Sequence, residues 1–501
     1  MEPAKHEEYN SLNLSEAKDG QTGFDSMAAK HQFQDSFDLS SFNLNTLTSE
    51  ERLEEINRCK NILKQYSRMM YLISSNSGWN IYSDRINFNF IANTLRLGPD
   101  AKTHFDADMG VCWSIKPLYG WLSDSFYPFT YRIKPYVILM SAINASACAF
   151  ICFGNYLIGA AMPTFNMFWY ANFIINITVA FIDALAEGIS AINTKLEQKI
   201  KTLKEVEKRE TGNVLPDEGE ENEMKAFGNF NLIRGLLRAI MGAFGGVTAQ
   251  KFSIQLAYFI LGVYPILLMF YTLFVFREAS KRKWTTSIRH IIKGVKALGR
   301  ILIRPFILLP AIYMYLNMTL PPSSGGTYDY LLTKKAGLSI ADLSLIDNIA
   351  SVIYYFVFLI VLNKMKGVAL WKLFLIAGVA NNLAYLMQFP FFFSESLTPL
   401  ILGGCRFIWS LINFLAVDLL LMPMVGRISK YLPEGFESTG VVVVVSGLNF
   451  CSVIQGNLGG NQISKHGIQD GYYDRAMPVY VLNFAIQLSI FALAPLFLFK
   501  G

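Results

Sequence analysis

The amino-acid sequence predicts an all-α integral membrane protein in which twelve transmembrane helices form two bundles of six. Composition is the first observation behind this prediction. Of 501 residues, 52% are hydrophobic and only 16% are charged, with a mean hydropathy of +0.32, whereas soluble proteins carry about 25% charged residues. The second observation is that apolar runs of about 20 residues recur, the length a helix needs to cross the ~30 Å hydrocarbon core of a bilayer.

Twelve segments are candidates for these helices. Uninterrupted apolar runs are clearest at 165–186 and 254–276, whereas the first two candidates, 70–95 and 104–124, are interrupted by polar residues. A backbone in lipid must satisfy its own hydrogen bonds, and the alternating ten-residue pattern of a membrane barrel is not seen, so we expect helices. The remaining candidates lie at 135–162, 227–250, 301–321, 343–362, 369–393, 399–425, 438–460 and 477–499.

Polar segments separate the predicted domains. Basic residues concentrate in the loops on one side of a twelve-helix count, which places both termini in the cytoplasm. The absence of an arginine- and serine-rich leader favours the cell membrane, with an organelle membrane as the alternative. The predicted domains are a cytoplasmic, largely disordered tail at 1–66 that runs into a short helix, an N-terminal six-helix bundle at 67–276 with a charged cytoplasmic loop at 195–226, a basic cytoplasmic linker at 277–300, and a C-terminal six-helix bundle at 301–501.

Several function classes find no support in the sequence. The six cysteines are scattered without a CxxC or zinc spacing, so we expect no metal and no disulfide. Only five histidines occur, and neither a His/Asp cluster nor a nucleophile elbow nor a phosphate loop is present, so we expect no enzyme and no cofactor. The net charge of +6 is explained by topology, without nucleic acid as a partner.

The two halves of the chain echo each other. Asp183 and Asp418 lie late in the fourth and tenth candidate spans, and paired glycines end the fifth and eleventh, at 245–246 and 459–460. Two six-helix halves joined by a long basic loop are typical of parallel repeats related by an axis along the membrane normal. This pattern indicates the major facilitator fold, for which we expect a monomer.

Three motifs narrow the family. KPLYGWLSD (116–124) closes the second span and YRIKPY follows it, LPEGFESTGVVVVVSGLNF (432–450) opens the eleventh, and IDALAEG (182–188) ends the fourth. In order and spacing, over about 110–500, they resemble the folate–biopterin transporter family of the major facilitator superfamily. The polar first span and the charged insert at 195–225 depart from that family's pattern.

The resemblance implies a secondary active transporter for folate, biopterin or a related pterin, working by alternating access with the proton as the coupling ion. Its partners would be this small-molecule substrate, the proton and the lipid bilayer. Fold does not fix substrate, so a major facilitator carrier for a different small metabolite or drug is the alternative. A membrane sensor that binds a solute without moving it is the alternative from another class.

Candidate substrate-binding residues follow from the cost of polar groups in lipid. An ionisable side chain in a bilayer costs about 2.5–3.5 kcal/mol and therefore faces a cavity or a partner. A guanidinium holds a carboxylate in a fork, and an aromatic ring stacks on a pterin. Lys116 has two predicted partners, Asp108 on its own helix or a substrate carboxylate, and Asn449 could bond a pterin or a neighbouring helix. The candidates are Trp79, Asp84, Arg85, Lys116, Arg406 and Asn449.

Charged pairs at helical spacing are the gating and coupling candidates. Asp183 and Glu187 are four residues apart, as are Arg234 and Arg238, so each pair shares a helix face. They would form an inner gate or a static ion pair, or the arginines would meet an anionic substrate. Protonation of Asp84, Asp183 or Glu187 would break pairs in one state. The complete set is Asp124, Asp183, Glu187, Arg234, Arg238, Asp418 and Glu437.

Overall fold

The computed structural model describes residues 48–157, 159, 163–210, 221–278, 296, 298–323, 325–365, 368–393, 398–429, 437–468 and 473–498. Within these ranges the predicted all-α class is confirmed. The twelve principal helices of the described residues are α1 (Ser49–Asn89), α2 (Pro99–Ser114, continued by Lys116–Ser125), α3 (Lys134–Leu157), α4 (Phe165–Glu210), α5 (Glu221–Lys251), α6 (Ile254–Phe274), α7 (Pro305–Thr319, continued by Gly325–Tyr330), α8 (Ile340–Met365), α9 (Leu370–Leu386), α10 (Pro399–Ser429), α11 (Glu437–His466) and α12 (Met477–Ala492).

The helices differ in how well they suit lipid. Among the described residues, six helices are long and apolar enough to cross a membrane, namely α3, α4, α6, α8, α10 and α11. Shorter apolar helices occur in α7, α9 and α12. The polar helices are α1, α2 and α5, and a polar helix in a bundle must face protein or a water-filled space. These three helices carry most of the charged residues described below.

Two segments are more helical than the sequence analysis expected. The short helix after the N-terminal tail and the first span form one continuous helix, because α1 runs from Ser49 to Asn89 and its first turn is closed by a Thr48–Glu51 capping box. Likewise α4 continues to Glu210, so the first part of the predicted loop at 195–226 is helix. Residues 211–220, most of the basic linker and residues 1–47 lie outside the described residues, and the domain boundaries stay predictions.

An apolar contact explains these extensions. Ile56 and Cys59 of α1 form a buried cluster with Leu196, Ile200 and Leu203 of α4. Their spacing of three and four residues places the apolar side chains on one face of each helix, which is the pattern of an amphipathic helix pair. Arg58 and Glu197 are exposed, whereas Lys199 of α4 donates to Glu55 of α1 at 2.6 Å, so the many charged residues of these segments are compatible with a packed helix pair.

The two halves of the chain, α1–α6 and α7–α12, share a structural repeat. α1 is followed by a five-residue π turn at Phe90–Thr94, and α7 by one at Leu331–Lys335. Each π turn is followed by residues 95–98 or 336–339 and then by α2 or α8. The eighth residue of each of those helices is an aspartate, Asp106 in α2 and Asp347 in α8. Corresponding elements in the same order support the parallel-repeat architecture.

Small residues bring neighbouring helices close together. The two halves meet where α2 packs on α11 and α5 packs on α8. A Cβ atom on Gly459 would lie 2.2 Å from the backbone oxygen of Ser323, and one on Gly245 would lie 2.8 Å from Cα of Tyr82. Both glycines therefore permit helix contacts that any larger residue would block.

Candidate substrate and coupling site

A buried ion cluster lies within the N-terminal half. Lys116 is 1% exposed, and its Nζ donates to Oδ2 of Asp183 at 2.6 Å and to Oε1 of Glu187 at 2.8 Å. The prediction that Lys116 pairs with Asp108 is wrong: Asp108 accepts a hydrogen bond from Nε1 of Trp169 at 3.0 Å. The α-helical path of α2 breaks at Ile115, immediately before Lys116, and the lysine side chain reaches α4 instead of its own preceding turns.

An arginine completes this cluster from α5. Nη2 of Arg234 lies 2.6 and 2.5 Å from the two carboxylate oxygens of Asp183, and Nη1 lies 3.9 Å from Glu187. The expected meeting of the acidic pair with an arginine of α5 is thus present, and the sequence reasoning missed only Lys116 as its centre. Arg238, one turn further on, interacts with Tyr355 of α8. Lys116, Asp183, Glu187 and Arg234 are called the Lys116 cluster below.

One carboxylate oxygen of the Lys116 cluster is unsatisfied. Oε2 of Glu187 is buried, and no described residue donates a hydrogen bond to it. Asp183, by contrast, has both oxygens engaged, by Lys116 and Arg234. A buried carboxylate oxygen without a hydrogen-bond donor costs free energy. Glu187 is therefore the less fully paired of the two acids of the cluster.

A second ion cluster joins the two halves. Asp347 of α8 accepts hydrogen bonds from Nη2 of Arg85 (α1) at 2.8 Å and from Nε and Nη2 of Arg406 (α10), both at 2.9 Å. Ser410 adds a fourth donor at 2.6 Å. The fork between Arg406 and Asp347 is the bidentate geometry in which an arginine binds a carboxylate most strongly. These four residues, with Asp329, are called the Arg406 cluster.

Aromatic rings flank the central guanidinium. The Cζ atom of Arg406 lies 4.3 Å from the ring centroid of Trp409 and 5.5 Å from that of Tyr328, which is cation–π distance. Its Nη1 lies 3.0 Å from Oδ1 of Asp329 without the alignment of a hydrogen bond. Arg406 is thus held in the interior of the protein, where its guanidinium group contacts protein side chains and does not face lipid.

Two acids beside these clusters face open space. The buried Lys102 of α2 donates to Asp84 at 3.1 Å and to Asp106 at 2.5 Å. The side chains of Asp84 and Asp106 are nevertheless 43% and 48% exposed. Asp106 lines a cavity of about 190 Å³ between α2, α7 and α11, whose other lining residues include Thr103, Gly110, Ser323, Ser452 and Gln455. Carboxylates at such a position are free to accept hydrogen bonds from a solute.

Other predicted site residues lie apart from these clusters. Trp79 stacks on Tyr264 with a centroid distance of 5.6 Å, an aromatic packing contact within the N-terminal half. Asn449 of α11 donates to the backbone oxygen of Trp113 at 3.2 Å, which is the interhelical bond considered as its alternative. Their roles in substrate binding stay predictions.

The remaining gating candidates are also dispersed. Asp124 forms an ion pair with Arg132 across the turn between α2 and α3. Asp418 of α10 accepts a hydrogen bond from the hydroxyl of Tyr354 on α8. Glu437 begins α11, but its side chain lies outside the described residues. None of these contacts assigns a role.

Sequence reasoning missed four charged residues at the junction of the halves, namely Lys102, Asp106, Asp329 and Asp347. Asp347 lies in SLIDNIASVIYY, two turns into α8 and after the first-turn acid Asp342, and the local sequence does not distinguish it from an ordinary intrahelical acid. Its correspondence with Asp106, each being the eighth residue of the helix after a π turn, is seen only in the structure.

Part of the chain is similar in sequence to known proteins. Residues 81–201 match the model of the BT1 family. Folate transporter 1 of Plasmodium falciparum (isolate 3D7) is 24% identical over 358 residues, which cover 68% of this chain and 61% of that protein. The match therefore spans less than two thirds of the relative's length.

Solved transporter structures share the fold. The nucleoside transporter NupG superposes with a TM-score of 0.58 at 12% identity, covering 88% of this chain and all of that one (100%). A POT family transporter in complex with a thioalcohol-conjugated peptide gives a TM-score of 0.59 at 12% identity, covering 85% and 95%. At this identity the likeness concerns the fold alone. The predicted resemblance is thereby confirmed: over residues 81–201 the chain has the sequence pattern of the folate–biopterin transporter (BT1) family, on the helical fold of known membrane transporters.

Proposed function

We propose that this protein is a secondary active transporter that moves folate, biopterin or a related pterin-like solute across a membrane by alternating access. The single observation that carries the proposal is the Arg406 cluster, in which charged side chains from both halves meet in the interior. A midplane site between two repeats is where carriers of this architecture bind their cargo. The BT1 family match and the similarity to a folate transporter support the choice of solute.

The chemistry of the junction suits such a solute. A pterin ring presents neighbouring N–H donors on one edge. The half-exposed carboxylates of Asp84 and Asp106 would accept hydrogen bonds from these donors. The glutamate tail of a folate presents carboxylates, which the guanidinium groups of Arg85 and Arg406 would hold. The indole of Trp409 beside Arg406 offers a stacking surface. The same site therefore has groups of opposite charge for the two ends of one solute.

Proton coupling belongs to the same proposal, and Glu187 is its carrier. A proton on Oε2 of Glu187 would weaken the bond from Lys116 to Oε1, which is now 2.8 Å. Lys116 and Arg234 already bond Asp183, so Asp183 would then be their only charged partner in the Lys116 cluster, and the contacts of α2 and α5 with Glu187 on α4 would loosen. Such a change biases one conformation over the other, which is the requirement for coupling.

We also propose that the protein acts as a monomer in the cell membrane with both termini in the cytoplasm. The concentration of lysine and arginine in the segments after α6 and after α8 supports this orientation. An organelle membrane is the alternative location.

A carrier for a different small metabolite is the second candidate. Its support is that nucleoside and peptide transporters share this fold at 12% identity, so the fold accommodates unrelated cargo. A sensor would share the binding site but show no flux.

Uptake of labelled solutes into proteoliposomes tests the proposal. We expect saturable entry of folate or biopterin that depends on an inward proton gradient, and its loss in Arg406→Gln. The matched control is Arg277→Gln, an exposed arginine at the end of α6, which should keep normal uptake. Labelled 4-aminobenzoate is a smaller carboxylate probe. Absence of uptake of all three solutes by folded protein would contradict the proposed substrate class.

A further inference from the structure

We infer that the side chain of Asp347 occupies a carboxylate-binding position when no solute is bound. This position lies between Arg85 and Arg406, and the carboxylate of a solute takes it, in place of Asp347, when the solute binds. This inference rests on the proposed function and names a residue that the sequence reasoning did not consider. The position between the two guanidinium groups is called the carboxylate seat below.

The contacts of Asp347 are those expected of a bound ligand. Its two oxygens accept four hydrogen bonds at 2.6–2.9 Å, three from guanidinium nitrogens and one from Ser410. A carboxylate side chain has about four lone-pair sites, so Asp347 is saturated. A free carboxylate of the same shape would satisfy the same donors without any rearrangement of Arg85 or Arg406.

The two arginines have donors to spare. Nε of Arg85 is buried, and no described residue accepts from it. Nη1 of Arg406 is close to Asp329 but not aligned with it as a hydrogen-bond donor. Buried donors without acceptors are costly. A static ion pair gains nothing from such unpaired donors, whereas an incoming solute carboxylate can bind them first and then displace Asp347 from the seat.

The corresponding residue in the other half shows that this arrangement is not imposed by the fold. Asp106 is at the same position of α2 as Asp347 is of α8, yet its partner is Lys102 and its side chain is 48% exposed. The side chain of Asp347 is 9% exposed. The repeat therefore places one acid facing the cavity and the other inside a pair of arginines.

Occupation of the seat by a solute has a mechanical consequence. Arg85 belongs to α1 and Asp347 to α8, so their 2.8 Å bond ties the N-terminal half to the C-terminal half. A solute carboxylate on Arg85 breaks this tie and substitutes its own contact. Movement of the two halves apart removes the bond between Arg85 and Asp347, and a bound solute replaces that bond with its own contact to Arg85. The conformational change is therefore favoured when a solute is bound and disfavoured when none is.

The test is the affinity of Asp347→Asn for solutes with and without a carboxylate. The substitution removes the charge of the competing side chain, so the dissociation constant of folate should fall roughly tenfold, which corresponds to about 1.4 kcal/mol. Biopterin has no carboxylate, and its dissociation constant should change less than about twofold. The rate of uptake should fall at the same time, because a solute that binds more tightly leaves more slowly. Direct binding to purified protein gives the first two numbers and proteoliposome uptake the third.

Controls separate this result from a general effect of charge or folding. Asp342→Asn removes the same charge from the first turn of the same helix, α8, where Asp342 bonds Ser339, and should leave folate binding unchanged. Ser410→Ala loosens Asp347 without changing any charge and should tighten folate binding in the same direction by a smaller factor, which keeps the test valid if Asp347→Asn folds poorly. Weaker binding of folate and biopterin alike in both Asp347→Asn and Ser410→Ala would overturn the inference and indicate a static ion pair.

The inference and the proposed function fail differently. If the wild-type protein moves neither folate nor biopterin, the proposed solutes are wrong. The seat is then tested with 4-aminobenzoate and L-glutamate as probes: both should stabilise Asp347→Asn against heat more than they stabilise the wild type. Equal stabilisation of the two proteins by every carboxylate overturns the seat whatever the natural solute is.

Discussion

Replacing Lys116 by methionine tests the Lys116 cluster most sharply. Lys116 is 1% exposed, and its ammonium group bonds Asp183 at 2.6 Å and Glu187 at 2.8 Å. Without it Asp183 keeps Arg234, but the nearest cation to Glu187 is Nη1 of Arg234 at 3.9 Å. Removing one partner of a buried ion pair costs about 3–5 kcal/mol, because an uncompensated charge stays in the interior. We expect Lys116→Met to lower the free energy of unfolding by this amount.

The double variant Lys116→Met/Glu187→Gln separates charge from packing. It restores neutrality at the buried site, so it should be destabilised by less than about 1.5 kcal/mol, the range of a volume-conserving core substitution. Unfolding in mixed detergent micelles, measured for the wild type, both single variants and the double variant, gives the coupling energy. A loss below about 1 kcal/mol in Lys116→Met, or a double variant no more stable than that single variant, would refute the reasoning.

Three further predictions concern packing, coupling and gating. Gly245→Ala places a Cβ atom 2.8 Å from the backbone of α1 and should cost about 1–3 kcal/mol of unfolding free energy, whereas Gly404→Ala meets no atom within 4 Å and should be neutral or stabilising in the same unfolding assay. Glu187→Gln should abolish the dependence of uptake on external pH, and a pH profile identical to that of the wild type would exclude Glu187 as the proton carrier. Asp124→Asn removes the ion pair with Arg132 and should slow uptake, while the exchanged pair Asp124→Arg/Arg132→Asp should recover part of the rate; an unchanged initial rate in Asp124→Asn would exclude a gating role.

The spacing of apolar and charged residues along the sequence predicted those features that depend on a single helix. Each of the twelve candidate segments overlaps one of the twelve principal helices of the described residues, although the segments of α1, α2 and α5 are polar. The separation of four residues put Asp183 and Glu187 on one face of α4, and the structure brings Arg234 to that face. These predictions need only helix geometry and the cost of a charge in lipid.

Side-chain direction and contacts between halves could not be predicted in the same way. The break at Ile115 turns Lys116 toward α4, and its effect on the lysine depends on the tertiary position of the second segment of α2. The partners of Asp347 come from α1 and α10, which are distant in sequence and meet only in the assembled bundle. The helical continuation of α4 was predictable in principle, since Leu196, Ile200 and Leu203 recur at helical spacing within a charged segment.

Solute counterflow tests the central claim, that the protein is a carrier, most directly. Proteoliposomes loaded with unlabelled folate and diluted into labelled folate, without any ion gradient, measure exchange through a single alternating site. The account predicts transient accumulation of label above the external concentration, absent in Arg406→Gln and present in Arg277→Gln. Binding of folate by the wild-type protein without any counterflow would contradict alternating access and indicate a sensor.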